Sequence, residues 1–144
     1  MEPHPRYYAA ACQTDFPNPT DRSEVPQRVT QLLDMIDCAV GGYKPFFDVK
    51  LVVFPEFAQS APIYPTVDEL LDRLALPIPN EYTDLYHKKA KEHDIYIQTG
   101  TFLECDPAYQ HPLYPRGGAD AQALSVARNE HLATQARHNL TQLP

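Results

Sequence analysis

The chain has 144 residues, 43% of them hydrophobic, with fifteen prolines and a net charge of −7. That length fits one domain of ordinary size or part of a larger one, and so many prolines exclude an all-helical bundle in favour of structured loops. The acidic balance excludes sequence-independent nucleic-acid binding, which needs dense Lys and Arg patches, and no apolar run approaches the length of a membrane span.

Tyr7 to Gln13 reads as a first strand, closed by the proline-bearing stretch Asp15–Thr20. Ser23 is placed to cap a helix whose first turn tolerates Pro26. Val25, Val29, Leu32, Leu33 and Ile36 follow at helical spacing and form an apolar stripe. Gly41-Gly42 supplies the stop. Val49 to Phe54 is short, apolar and β-branched, which predicts a strand buried on both faces and ended by Pro55. Thr66-Val67-Asp68-Glu69 is a capping-box sequence opening a short helix through Leu76, with Pro77 and Pro79 as breakers. A further helix is predicted over Glu81 to His93, with Tyr82, Leu85, Tyr86 and Ala90 on its core face. Ile95 to Leu103 is a third strand. The alternation places residues 7–106 in the α/β class.

Beyond Asp106 the composition changes. Residues 1–106 hold 17 of the 19 acidic and 9 of the 12 basic side chains. Residues 107–144 have no Ile, Phe, Lys or Cys and are rich in Ala, Gln, Arg and His. Residues 119–140 predict at most a weak helix without a clean stripe. The two parts therefore divide as a domain over 1–106 and a divergent tail over 107–144, expected to be poorly ordered unless a partner or the domain covers it.

One segment carries chemistry. In Val52-Val53-Phe54-Pro55-Glu56-Phe57-Ala58 a carboxylate follows a buried strand directly, behind a rigid proline. Loops gather at such sheet ends, and ligands of open α/β sheets bind there. Partial burial of Glu56 would raise its pKa and suit it to general-base work. The competing reading is a solvated loop carboxylate.

Ala-Ala-Cys-Gln-Thr-Asp at 10–15, a long helix, then Leu-Val-Val-Phe-Pro-Glu-Phe at 51–57 together resemble the opening of the nitrilase superfamily. Gly100-Thr101-Phe102-Leu103-Glu104 is similar to that family's third-strand segment, so the resemblance covers roughly residues 7–107. It implies a four-layer αββα sandwich, a homo-oligomer, and hydrolysis of a C–N bond in a small nitrile, amide or carbamoyl compound without a cofactor or metal. It also implies a mechanism of three side chains. A Glu removes the proton from a Cys thiol, the thiolate attacks the nitrile or amide carbon, and a Lys stabilises the developing charge. Glu56 matches the general base.

The lysine and cysteine positions have no match. Lys44, Lys50, Lys88, Lys89 and Lys91 precede the third strand, and Cys12, Cys38 and Cys105 fall elsewhere than the family's cysteine elbow. Departure from the pattern begins near Pro107–Gln110, as a truncated, alternatively spliced or frame-shifted product would have it, and the chain is expected to be inactive by itself. The three cysteines share no CxxC spacing, against a disulfide framework or zinc site. Cys105 beside Glu104 is no dyad, because neighbours on a strand point to opposite faces. His87 and His93 read as surface histidines, and Lys88, Lys89, Lys91 and Glu92 as a solvated helix face. Asn139-Leu140-Thr141 matches the glycosylation triplet by chance, since Met1 to Arg6 lacks signal-peptide architecture and the location expected is cytoplasmic. The alternative function is a non-catalytic interaction or regulatory module that pairs with itself or with a full-length relative through an uncovered sheet. Neither nucleic acid nor membrane is an expected partner.

Overall fold

The computed structural model describes residues 6–15, 19–60, 64–105, 123–127 and 132–134. Strands β1 (Tyr8–Ala11), β2 (Val49–Val53) and β3 (Tyr96–Phe102) lie side by side in chain order and all run parallel. Ala10, Val52 and Ile97 stand level across the three, with Ala9, Leu51 and Tyr96 one step before them and Ala11, Val53 and Gln98 one step after. The connections are α1 (Val25–Gly41) between β1 and β2, and α2 (Val67–Leu74) with α3 (Glu81–His93) between β2 and β3. The protein is of the α/β class.

Helix α1 forms because its apolar stripe has a sheet to cover. Val25, Val29, Leu32, Ile36 and Val40 are all buried, each contributing roughly 1.5–3 kcal/mol of transfer free energy. Its start differs from the expected one. Asp21, rather than Ser23, caps the segment: its carboxylate accepts from the Ser23 amide and heads a single 3₁₀ turn, Arg22–Glu24, that runs into the helix. The other end closes as expected, with the Gly42 amide donating to the Cys38 carbonyl at 2.9 Å. In α2 the Thr66 hydroxyl accepts from the Glu69 amide at 3.2 Å. This helix ends at Leu74, two residues early, because Leu76 is drawn into a bridge with Glu104 beside the sheet.

Helix α3 has the bounds the sequence predicts and a fuller cap. The Asn80 side chain accepts from the Tyr82 and Thr83 amides, and Thr83 Oγ1 accepts from the Asn80 amide in return. Asp94, with φ of 53°, ends the helix in the left-handed conformation. The buried face is Tyr82, Thr83, Tyr86 and Ala90. Leu85, assigned to that face from the sequence, is 42% exposed. The packed stripe is centred on Tyr82, Thr83, Tyr86 and Ala90, and Leu85, about 200° round the helix from Thr83, falls outside it.

Helices α1 and α3 pack on each other and on β2 and β3. Val52 and Ile97 beneath them are fully buried, whereas Leu51, Val53 and Gln98 on the other face are only half-buried and Ala9, Ala11 and Tyr96 are exposed. β2 is therefore fully buried on its helix side and half-buried at Leu51 and Val53, not buried on both faces as its apolar run suggested. Two further strands, β4 (Ala123–Ala127) and β5 (Leu132–Thr134), extend the sheet beyond β3 in antiparallel fashion. These are strands where the sequence suggested a weak helix. The rest of the 107–144 segment, including the Asn139 triplet, lies outside the described residues. Among the described residues no helix is long and apolar enough to cross a membrane.

The α3 cap generates a quantitative expectation. Asn80→Ala leaves the Tyr82 and Thr83 amides and the Pro77 carbonyl without their side-chain partner and should lower stability by about 1 kcal/mol, read as a smaller urea midpoint with an unchanged slope.

Candidate functional site

At the carboxyl ends of β1 and β2 the two following loops enclose a cleft of about 280 Å³ lined by Thr14, Asp15, Pro55, Glu56 and Phe57. Glu56 sits where the sequence placed it, directly after the strand and behind Pro55, but not in the partly buried setting expected of it. The residue is exposed, so position rather than burial is what distinguishes it.

The backbone beneath Glu56 is held from several directions. The Phe54 amide donates to the Gln98 carbonyl at 2.9 Å, and the Thr101 amide donates to the Glu56 carbonyl at 2.6 Å. Between these contacts β3 passes through Gly100, whose φ is +85°. A Cβ there would stand 2.3 Å from the Pro55 carbonyl oxygen and 2.9 Å from that of Glu56. Only glycine permits both the conformation and the approach. Downstream, Ala58, Gln59 and Ser60 turn into the core. Gln59 Nε2 donates to the Thr99 carbonyl at 2.7 Å and to the Tyr86 hydroxyl at 3.1 Å, and burial pushes the Tyr86 phenol well above its ordinary range.

Arg28 of α1 ties the two cleft loops together. Its Nε donates to the Ala58 carbonyl, Nη1 to Asp15 Oδ1 and Nη2 to the Asp15 carbonyl, each at 2.8 Å. The hydrogen bond and charge of Arg28 hold the Asp15 carboxyl below the usual carboxylate range. Neither Arg28 nor Gln59 stood out in the sequence reading, and Gly100 entered it only as part of the 100–104 segment, not for its conformation. Two signals were there: Arg28 borders the α1 stripe at three residues from Val25 and four from Leu32, and a lone glycine interrupts an otherwise bulky strand.

No cysteine or lysine is among the described residues that line the cleft. Cys12 lies at the end of β1, donates its amide to the Val53 carbonyl and packs against the core, where burial pushes its thiol up. Its side chain thus belongs to the helix-covered interior and is a poor nucleophile. Cys105 is half-buried, its amide donating to the Leu76 carbonyl, and Cys38 is exposed. Glu104 is buried while Cys105 beside it is half-buried, in keeping with side chains that diverge.

A second polar cluster joins α1 to α3. Lys89 Nζ lies 2.9 Å from Asp37 Oδ2 and 3.2 Å from Glu92 Oε2, and His93 Nε2 lies 2.6 Å from Asp37 Oδ1. Lys89 and His93, read from the sequence as solvated, are only 17% and 16% exposed, because α1 brings Asp37 against them. His87 is half-buried with Nδ1 lacking a partner among the described residues. Ligand atoms of Asp37, Glu92 and His93 come within 4.8 Å of one another, but the Lys89 ammonium already supplies the positive charge between the two carboxylates. The cluster is a clasp between helices.

The chain matches no model of a known protein family, and no curated protein sequence matches it.

Two outcomes are expected from this geometry. Gly100→Ala drives a methyl into two backbone oxygens at a left-handed φ and should cost roughly 2 kcal/mol or more, seen by urea denaturation, with the largest amide shifts at Pro55's neighbours Phe54 and Glu56. At Asp37, burial works against the charged form, but hydrogen bonds from His93 and Lys89 outweigh it and hold the carboxyl below its ordinary 3.8. A depressed folded pKa gives stability that is present above 3.8 and lost as pH falls through the folded value. The stability gap between wild type and Asp37→Asn should therefore be present at neutral pH and close below pH 3.8; a gap unchanged in acid would reject this ionic role.

Proposed function

We propose that this chain descends from a carbon–nitrogen hydrolase of the nitrilase type and retains its general base, Glu56, without the nucleophile and lysine the reaction requires. The observation that carries this is the placement of Glu56. It projects from the carboxyl end of a central parallel strand into a cleft between two loops that Arg28, Gln59 and Gly100 brace. A carboxylate so placed is suited to accepting a proton from a thiol or water delivered to the cleft. The hydrolytic cycle needs in addition a thiolate to attack the nitrile or amide carbon and a cation beside the developing charge. Neither a thiol nor a lysine is among the described residues that line the cleft, and on this reading the chain alone is inactive. On this reading the sheet and its helices would supply one α layer and one β layer of a four-layer sandwich, and the small-molecule substrate would be a nitrile, amide or carbamoyl compound in the cytosol.

A second reading, a non-catalytic interaction module, is favoured by one observation: on the sheet face opposite the helices the apolar Leu51 and Val53 are only half-buried.

Purified chain offered small amides, nitriles and carbamoyl compounds should turn over none of them. Acetamide or propionitrile should nevertheless shift the amide resonances of Thr14, Asp15, Glu56 and Phe57, and Glu56→Gln should abolish that response. Failure of every such compound to perturb these four residues would falsify the hydrolase reading. Sequencing the transcript beyond the Asp106 codon provides an independent check, and the expected finding is a frame that encodes a lysine motif and a cysteine elbow.

A further inference from the structure

We infer that the cleft beside Glu56 takes a substrate of one positive charge, a small amide, nitrile or carbamoyl compound bearing an ammonium group, and that Asp15 is the residue that selects it. This rests on the hydrolase reading and adds to it the charge of the substrate.

The cleft draws one ionisable side chain from each of its two loops, Asp15 after β1 and Glu56 after β2, and its other described lining residues, Thr14, Pro55 and Phe57, are uncharged. The residues that continue these loops, Phe16-Pro17-Asn18 and Ala61-Pro62-Ile63, add no charge. Among the described residues the basic group bonded to a lining residue is Arg28, and its donors are already engaged. Nε goes to the Ala58 carbonyl, Nη2 to the Asp15 carbonyl, and Nη1 to Asp15 Oδ1 at 2.8 Å and Gln31 Oε1 at 3.4 Å. Four of the five N–H groups of a guanidinium are thereby used, and the side chain is only 11% exposed. A substrate carboxylate finds little there to bind.

Asp15 is in the opposite situation. Its side chain is 83% exposed, and the hydrogen bond and charge of Arg28 keep the carboxyl ionised by holding it below the usual carboxylate range. A carboxylate has about four acceptor sites, so Arg28 fixes Asp15 in place and leaves it capacity for a second cation.

The charge balance points the same way. Asp15 is negative, and so is Glu56, as a general base must be before it accepts a proton. Arg28 offsets one of the two. A monocation cancels the remaining charge, a neutral amide leaves it, and an anion adds to it. At about 280 Å³ the cleft falls just under the ~300 Å³ at which pockets for drug-sized ligands begin, so the substrate is short. Its C–N group lies at Glu56, its carbon chain on Phe57, and its ammonium donates to the Asp15 carboxylate.

The test is amide NMR titration of the full chain with three amides that differ only at the far end of the chain: β-alaninamide with an ammonium, butyramide with a methyl and succinamate with a carboxylate. At neutral pH and low salt, β-alaninamide should shift Thr14, Asp15, Glu56 and Phe57 with an affinity about fivefold above that of butyramide, as one solvent-reached ion pair allows. Succinamate should bind more weakly than either. Asp15→Asn keeps an acceptor for Arg28 and should bring the ratio of β-alaninamide to butyramide affinity near one, and Asp15→Glu should restore it. Asp34→Asn removes a charge from an exposed position of α1 and should leave the ratio as in wild type. A ratio that falls equally in Asp34→Asn assigns the preference to the net charge of −7 and overturns the inference. Equal binding of the three amides, a preference for succinamate, or a cation preference that survives Asp15→Asn also overturns it, and leaves the hydrolase reading standing. Silence from all three overturns it too, and the hydrolase reading falls with it only if acetamide and propionitrile are silent as well.

Discussion

Three parallel strands laid side by side in chain order impose a constraint on everything around them. Each crossover steps the same way across the sheet, and crossovers of one hand that step the same way return along the same face. Helices α1 and α3 therefore meet over β2 and β3, and Val52 and Ile97 become the fully buried floor beneath them. The opposite face keeps Leu51, Val53 and Tyr96 at its surface. A doubly wound sheet would have reversed direction once and covered both faces. This one does not, and its asymmetry follows from strand order alone.

The same arrangement fixes where chemistry can be placed. Parallel strands deliver their carboxyl ends to one edge, where the loops after β1 and β2 come together. Those loops would be free to spread if nothing crossed between them. Arg28 reaches from α1 to both, and β3 presses its Gly100 backbone against Pro55 and Glu56 from beneath. Gln59 turns the end of the segment into the core and satisfies the Thr99 carbonyl and Tyr86 hydroxyl there. A solvent-exposed carboxylate thus stands on a backbone held from several directions.

The Asp37–Lys89–His93 clasp shows how tertiary contact changes the character of ordinary surface residues. Isolated, Lys89 and His93 would belong to a solvated helix face. Against α1 they share a carboxylate, and an ammonium occupies the position that a bound cation would otherwise take. The chain's own ammonium offsets carboxylate charge inside the cluster.

Much of this protein was legible in local pattern. The bounds of α3, the apolar stripe of α1, the three strands and the position of Glu56 all follow from spacing, capping residues and prolines, because each depends on neighbours within a turn or a strand. What the pattern could not decide was long-range. An apolar strand reads alike whether one or both of its faces are fully buried, so the half-burial of Leu51 and Val53 awaited the tertiary structure. Leu85 fits a helical stripe, yet the packed side of α3 is the one that carries Tyr82, Thr83, Tyr86 and Ala90. Residues 123–127 and 132–134 have weak intrinsic preference, and pairing beside β3 makes them strands. The sequence by itself determined the elements and the strand-end carboxylate; only the tertiary structure decided which faces are covered and what braces the cleft, since burial and backbone approach arise between segments far apart in the chain.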